Sequence, residues 1–180
     1  MSERKELRIS LVDTEWPLTY TSHDRHVARG IVFDNEGNFY FMRVNRDDDF
    51  GKATLIETAG GGVEPEESPD EGILRELSEE LGADVEVVCK IGVVDDYYNL
   101  IHRHNINHYY LCRVVSFGET HMTEDEIHCF HLSTLKIAYE DAVAEYGKCA
   151  TTPLGKLICQ RELPVLVRAK EILDEIAILN

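Results

Sequence analysis

Three glutamates crowd the stretch "RELSEELG", Arg75 to Gly82. Glu76, Glu79 and Glu80 stand at helical spacings i, i+3 and i+4. On a helix they share one side and repel, at about 0.2–0.5 kcal/mol for each exposed i,i+4 like pair. A hard divalent cation would reverse the sign of that interaction, because it binds through oxygen ligands. Mg²⁺ takes one or two carboxylates, keeps waters and binds substrate phosphates. It also lowers the pKa of its own water. Taken alone, a solvated acidic helix face explains these residues equally well. Directly upstream lies "AGGGVEPEE", Ala59 to Glu67. Its glycines let a backbone approach a ligand closely, although alone they read as a flexible turn.

The helix that must carry the glutamates is well punctuated. Ser68 is an N-cap candidate and Pro69 suits the first helical position. Glu71 completes a capping box with Ser68, and Asp70 and Glu71 complement the positive helix start. Gly82 is a terminator. Ile73, Leu74, Leu77 and Leu81 form one apolar stripe, and the three glutamates cluster about 120° from its centre. Gly72 lies on their side and leaves room for a close approach, at about 1 kcal/mol of helix propensity.

Strands surround this helix. "LRISLV" reads as a strand, and "EWPLTYTSHDRH" as a turn-rich connection. "VARGIVF" and "NFYFMRV" flank the hairpin signal "DNEGN". "NRDDDFGK" reads as a polar loop and "ATLIET" as a short strand running into a glycine turn. "DVEVVCKIGVVDDYYNL" and "INHYYLCRVVSF" read as strands, with a hairpin tip near "IHRHN". "TEDEIHCFHL" reads as a loop entering a strand, "LKIAYEDAVAEY" as a helix, and "ELPVLVRAKEILDEIAIL" as a terminal helix entered near Pro164. The order predicts an α+β or mixed α/β sandwich.

The chain as a whole sets the limits. Its 180 residues, 43% apolar, suffice for one domain with a real core. No apolar run reaches a membrane span of roughly 18 residues, and the charged N-terminus has no signal-like apolar region. A cytoplasmic protein is expected. Five cysteines without a C-x-x-C pair predict no disulfide framework. The net charge of −16 repels nucleic acid backbones and anionic lipid, so neither polymer nor membrane is an expected partner. An anionic substrate would need a metal or a local basic patch.

Loop and helix together give Gly61, five residues, Glu67, seven residues, then Arg75-Glu76-Leu77-Ser78-Glu79-Glu80-Leu81-Gly82-Ala83. This is the pattern G-x5-E-x7-R-E-U-x-E-E-x-G-U, with U a bulky aliphatic residue. Ala83 is the one soft match. With each fixed position near a background of roughly 7%, chance agreement is on the order of one in 10⁸ per window. The chain therefore resembles the Nudix hydrolases (MutT-like) over most of its length, less so over residues 1–24 and 140–180.

The resemblance implies a single domain over 1–180: an α/β/α sandwich with a mixed β-sheet and a loop-helix catalytic motif, an N-terminal strand extension (about 1–24) and a C-terminal helical segment (about 140–180). It implies Mg²⁺- or Mn²⁺-dependent hydrolysis of a small diphosphate, commonly a nucleoside diphosphate linked to another moiety. A Nudix-fold ligand sensor without turnover is the alternative. Glu76, Glu79, Glu80 and the carbonyl of Gly60 are the implied metal ligands. Arg75 and Glu67 are the implied pair that orients the glutamates. A later acidic residue is implied as general base, with Glu126 favoured over Glu124 and Asp125. A homodimer is compatible with the flanking segments.

Other residues carry weaker signals. His102, His104, His108, His128, Cys129 and His131 lack zinc spacing. Trp16 reads as partial core packing ahead of a base-stacking platform. Tyr97 and Tyr98 fall where some dinucleoside-polyphosphate hydrolases of the family carry a tyrosine. No proline occurs between Pro69 and Pro153, which points away from the ADP-ribose-specific members. The coenzyme A and NADH-pyrophosphatase motifs are also absent.

Overall fold

Long runs of β-branched and aromatic residues pair into one mixed sheet. A computed structural model of the chain describes residues 5–179. The charged N-terminal stretch begins in residues 1–4, which, like Asn180, lie outside the described residues. The strands are β1 (Leu7–Ser10), β2 (His23–Phe33), β3 (Phe39–Asp48), β4 (Gly51–Glu57), β5 (Ala59–Gly62), β6 (Ala83–Tyr98), β7 (Arg103–Phe117) and β8 (Ser133–Ile137). The helices are α1 (Pro69–Leu81), α2 (Glu124–His128), α3 (Tyr139–Cys149) and α4 (Pro153–Leu179). The sheet runs β1-β6-β7-β2-β3-β4, with β5 paired to β2 and β8 to β3. The β1–β6 and β2–β7 pairs are parallel and the others antiparallel.

Each face of the sheet buries its own apolar cluster. One face carries Ala28, Val32, Tyr110 and Cys112 against Ile73, Leu77 and Leu81 of α1. The other carries Ile31, Phe41, Tyr109 and Leu111 against Tyr146 of α3 and Ile158 and Leu166 of α4. Helices on both faces make the expected α/β/α layering. Each such buried apolar side chain contributes about 1.5–3 kcal/mol. Among the described residues no helix is long and apolar enough to cross a membrane, and all five cysteines are free.

Several elements differ from the sequence reading. The polar stretch Asn45–Asp48 continues β3, and only Asp49–Phe50 turn before Gly51 opens β4. Asn45, Asp47 and Asp48 are exposed, so this end of the strand needs no apolar partner. The glycine-rich stretch Ala59–Gly62 is not a free turn but a strand antiparallel to β2. The hairpin between β6 and β7 turns at Asn99–His102, not within "RHN", so His104 and His108 share one strand face. "TEDEIH" holds the short helix α2, and Leu135–Ile137 belong to β8 ahead of α3.

The terminal helix begins at Pro153 and runs through Pro164. An interior proline removes one helical hydrogen bond, at about 3 kcal/mol. Here Pro164 and Gln160, whose carbonyl loses its donor, are both exposed. The buried residues around them, Ile158, Val165, Leu166 and Ala169, hold the helix against the sheet.

Candidate active site

Helix α1 is set as its sequence directs. Ser68 accepts from the Glu71 amide while the Glu71 carboxylate accepts from the Ser68 amide. Gly82 closes the helix in the left-handed region, at φ 61°, donating its N–H to the Leu77 carbonyl. A side chain there would be strained and would collide with the Gly118 carbonyl. The apolar stripe is narrower than expected: Leu74 is exposed. The glutamates are not a solvated face either, since Glu76 and Glu80 are each only 7% exposed. Glu79 is half-buried.

Arg75 ties the acids together. It donates to Glu67 Oε1 at 2.5 Å and Oε2 at 3.2 Å, to Glu76 Oε1 at 2.8 Å and to Glu79 Oε2 at 3.1 Å. It also donates to the Gly62 carbonyl at 3.0 Å. Bonding to Arg75 holds Glu67 below the usual carboxylate range. Gly72 faces Glu67: a Cβ there would lie 3.0 Å from Glu67 Oε1. The room it leaves is filled by that carboxylate. Gly61 clears Glu76 in the same way, since a Cβ on it would lie 2.6 Å from the carboxyl atoms.

Glu80 is the most confined acid. Its Oε2 accepts from the Gly60 amide at 2.8 Å. Burial pushes its carboxyl up to about 8; the Gly60 bond opposes this, and Glu76 and Glu126 add to it. Burial also raises Glu76, against the pull of Arg75. Glu76 has Arg75 as its bonded counter-charge, whereas Glu80 bonds no cationic side chain among the described residues. Glu80 opens on a cavity of about 200 Å³, lined also by Arg25, Arg29, Glu57, Gly60, Gly61 and Glu126. Among the described residues no three His, Cys, Asp or Glu side chains are grouped as a metal cage. Glu79 is drawn to Arg75, away from such a set.

The cavity floor rests on a buried polar network that the sequence reading missed. Glu162 of α4 accepts from the Thr58 amide and hydroxyl, each at 2.8 Å, and from Tyr146 Oη at 2.7 Å. Arg161 donates to Glu162, Asp96 and Tyr98. Arg29 donates to Asn107 Oδ1 and to the Thr58 carbonyl, and approaches Glu57 and Glu162 at 3.7 and 3.6 Å. Burial alone would raise Glu162, but the Arg161 and Arg29 charges outweigh it and hold the carboxyl below its usual range. Arg25 and Arg29 share one face of β2, but without the strand pairing neither carried a readable signal. Arg161 and Glu162, mid-helix, carried none.

The remaining expected residues divide. Glu126 lines the cavity while also capping α2 through the Thr123 amide. Glu124 pairs with His128, and Asp125 lies against Cys129. His102 stacks on Tyr20, His104 on Tyr97, and His108 on His26, so the histidines are dispersed. Trp16 packs on the core, edge-on to Phe50 at 5.3 Å, the packing role that the sequence favoured.

Comparison with known proteins shows the family and the fold. The family described as NUDIX domain matches residues 24–148. Over 60 residues the chain is 35% identical to an 8-oxo-dGTP diphosphatase from Proteus vulgaris, a match covering 33% of this chain and 52% of that protein. The chain thus spans about half the length of this curated relative. A NUDIX hydrolase from Nitrosomonas europaea superposes with a TM-score of 0.60 at 13% identity, covering 83% of this chain and 87% of that one. The MutT protein from Methanosarcina mazei Go1 gives 0.57 at 18% identity, covering 86% and 97%. These two structures are similar in fold. With a complete glycine-loop and glutamate-helix box inside a domain matched over residues 24–148, the chain belongs to the NUDIX family.

Proposed function

We propose that the chain hydrolyses a diphosphate linkage in a nucleotide-derived substrate, a nucleoside diphosphate linked to another moiety or a related organic pyrophosphate. The relative from Proteus vulgaris, named an 8-oxo-dGTP diphosphatase, favours a nucleotide. The observation that carries the reading is two neighbouring buried carboxylates, Glu76 and Glu80, of which Glu80 lines a small cavity and bonds no cationic side chain among the described residues. We take residues 1–180 as a single catalytic unit.

The donor set fits Mg²⁺ or Mn²⁺: hard oxygens, confined and short of positive charge. Glu76 and Glu80 would hold the ion, with Glu79 and the Gly60 carbonyl as further candidates. When bound, such an ion neutralises the diphosphate and polarises the P–O bond under attack. The chain's own residues then have separate tasks. Arg75, anchored by Glu67, orients Glu76 and Glu79. The Gly60 amide fixes Glu80. Glu126 would accept the proton of the attacking water, a role supported by its lining the cavity with Glu80, as Glu124 and Asp125 do not.

Glu80→Gln tests this. The variant is expected to fold with an unchanged circular dichroism spectrum and to lose nearly all turnover on a panel of nucleoside diphosphate derivatives with Mg²⁺ or Mn²⁺. A kcat comparable to that of the parent at saturating metal would overturn the assignment. Tight nucleotide binding by the parent, with no turnover of any compound, would favour a sensor.

A further inference from the structure

Two neighbouring arginines, Arg25 at the cavity and Arg103 beside it, bond no acidic side chain among the described residues, in a chain with 34 acidic and 18 basic residues. Arg25 on β2 lies opposite Asn105 on β7, and Arg103 lies two residues before Asn105, so all three point to one face of the sheet. That face also carries Arg29. Arg29, Arg46, Arg75 and Arg161 each meet a carboxylate. Among the described residues Arg25 and Arg103 make no hydrogen bond or ion pair through their side chains, and the Nε of Arg103 is buried without a partner. Asn105, only 3% exposed, has no side-chain hydrogen bond either.

Neighbouring charges make the arrangement unfavourable as it stands. Burial, Arg103 and Arg29 together hold Arg25 below its ordinary pKa, and only Glu76 pulls the other way. Glu76 is already bonded to Arg75. Gly62 is shaped for Arg25: a Cβ there would lie 2.9 Å from Arg25 Nη2. A half-buried guanidinium pair without a counter-ion is costly unless an anion supplied from outside completes it. Guanidinium forks match phosphate oxygens, two donors at a time. Arg25 lines the cavity with Gly60, Gly61 and Glu80, the proposed seat of the diphosphate linkage, and Arg103 lies further out along the same face.

We propose that Arg25, Arg103 and the Asn105 amide form an anion subsite for a phosphate group beyond the hydrolysed linkage. This rests on the hydrolase reading of the same cavity. It selects substrates with a chain of three or more phosphates over those whose second moiety is uncharged. It is also the local basic patch that an anionic substrate needs on a chain of charge −16.

The test is isothermal titration of the metal-free protein, in EDTA, with inorganic tripolyphosphate. The parent is expected to bind. Arg25→Gln and Arg103→Gln should each weaken binding about tenfold or more, the loss of a charge-assisted contact. Their thermal midpoints should not fall, since no protein contact is lost; a purely structural role would lower them. No tripolyphosphate binding by the parent, or equal binding by both arginine variants, would overturn the subsite. Weakened binding in those variants without turnover of any diphosphate would leave the subsite standing and sink the hydrolase reading. Turnover with unchanged binding in the variants would remove the subsite alone.

Discussion

Gly61 shows how little space the glutamates have. Its missing Cβ is the clearance for the Glu76 carboxylate, 2.6 Å from where that carbon would sit. Gly61→Ala must therefore displace Glu76. Misplacement by about 1 Å can reduce turnover on the order of 10²-fold, and a kcat/KM loss of that size is expected with little change in expression or fold. Unchanged kcat/KM would show that Glu76 moves freely. At this scale the box residues were legible because they are local: fixed spacing on one loop and one helix set Glu67, Arg75, Glu76, Glu79 and Glu80. Arg25, Arg29 and Arg103 were not, because strand pairing across the chain brings them together.

Elements differ in how firmly the sequence announces them. Helix α1 was readable to its ends through Ser68, Glu71 and Gly82. Ser68→Ala should cost about 1 kcal/mol, seen as a lower denaturation midpoint at an unchanged m-value. Helix α4 was misjudged because Pro164 argues for a start, and only its packing on the sheet shows otherwise. That packing has an electrostatic core. Glu162→Ala would leave Arg161 and Arg29 buried with less counter-charge, at a cost of about 3–5 kcal/mol; a midpoint within error of the parent would show the network to be dispensable. The β2–β3 hairpin carries a pH-dependent clamp. Asp34 accepts from the Asn38 amide at 2.9 Å and pairs with Lys136 of β8 at 3.0 Å. Burial opposes these bonds, but together they hold its carboxyl well below the usual 3.8. The folded form therefore binds fewer protons than the unfolded one below that pH. The contribution is complete above about pH 4 and is lost as pH falls further. Asp34→Asn should lower the thermal midpoint at pH 7, and the gap to the parent should narrow steadily as pH falls below 4.

Across the whole molecule, the surplus of acids makes divalent cations stabilisers by two routes, general screening and specific capture. They separate experimentally. Mg²⁺ should raise the thermal midpoint of the parent above that reached with NaCl at equal ionic strength. At about a hundredfold excess over Kd the gain is about 2.7 kcal/mol. A Glu76→Gln, Glu80→Gln double variant should show only the NaCl-like response. Equal responses in both proteins would mean that no specific site exists.

The parallel pairing of β2 with β7 joins residues 80 positions apart, as between Asp24 and His104. Closing such a span costs about 4 kcal/mol of chain entropy. Long-range parallel pairing is also slow relative to helix formation. A refolding chain can complete the glutamate helix within microseconds and still lack the arginine pair. The acidic half of the cavity and its basic half thus have separate folding clocks, and phosphate recognition is born with the slower one.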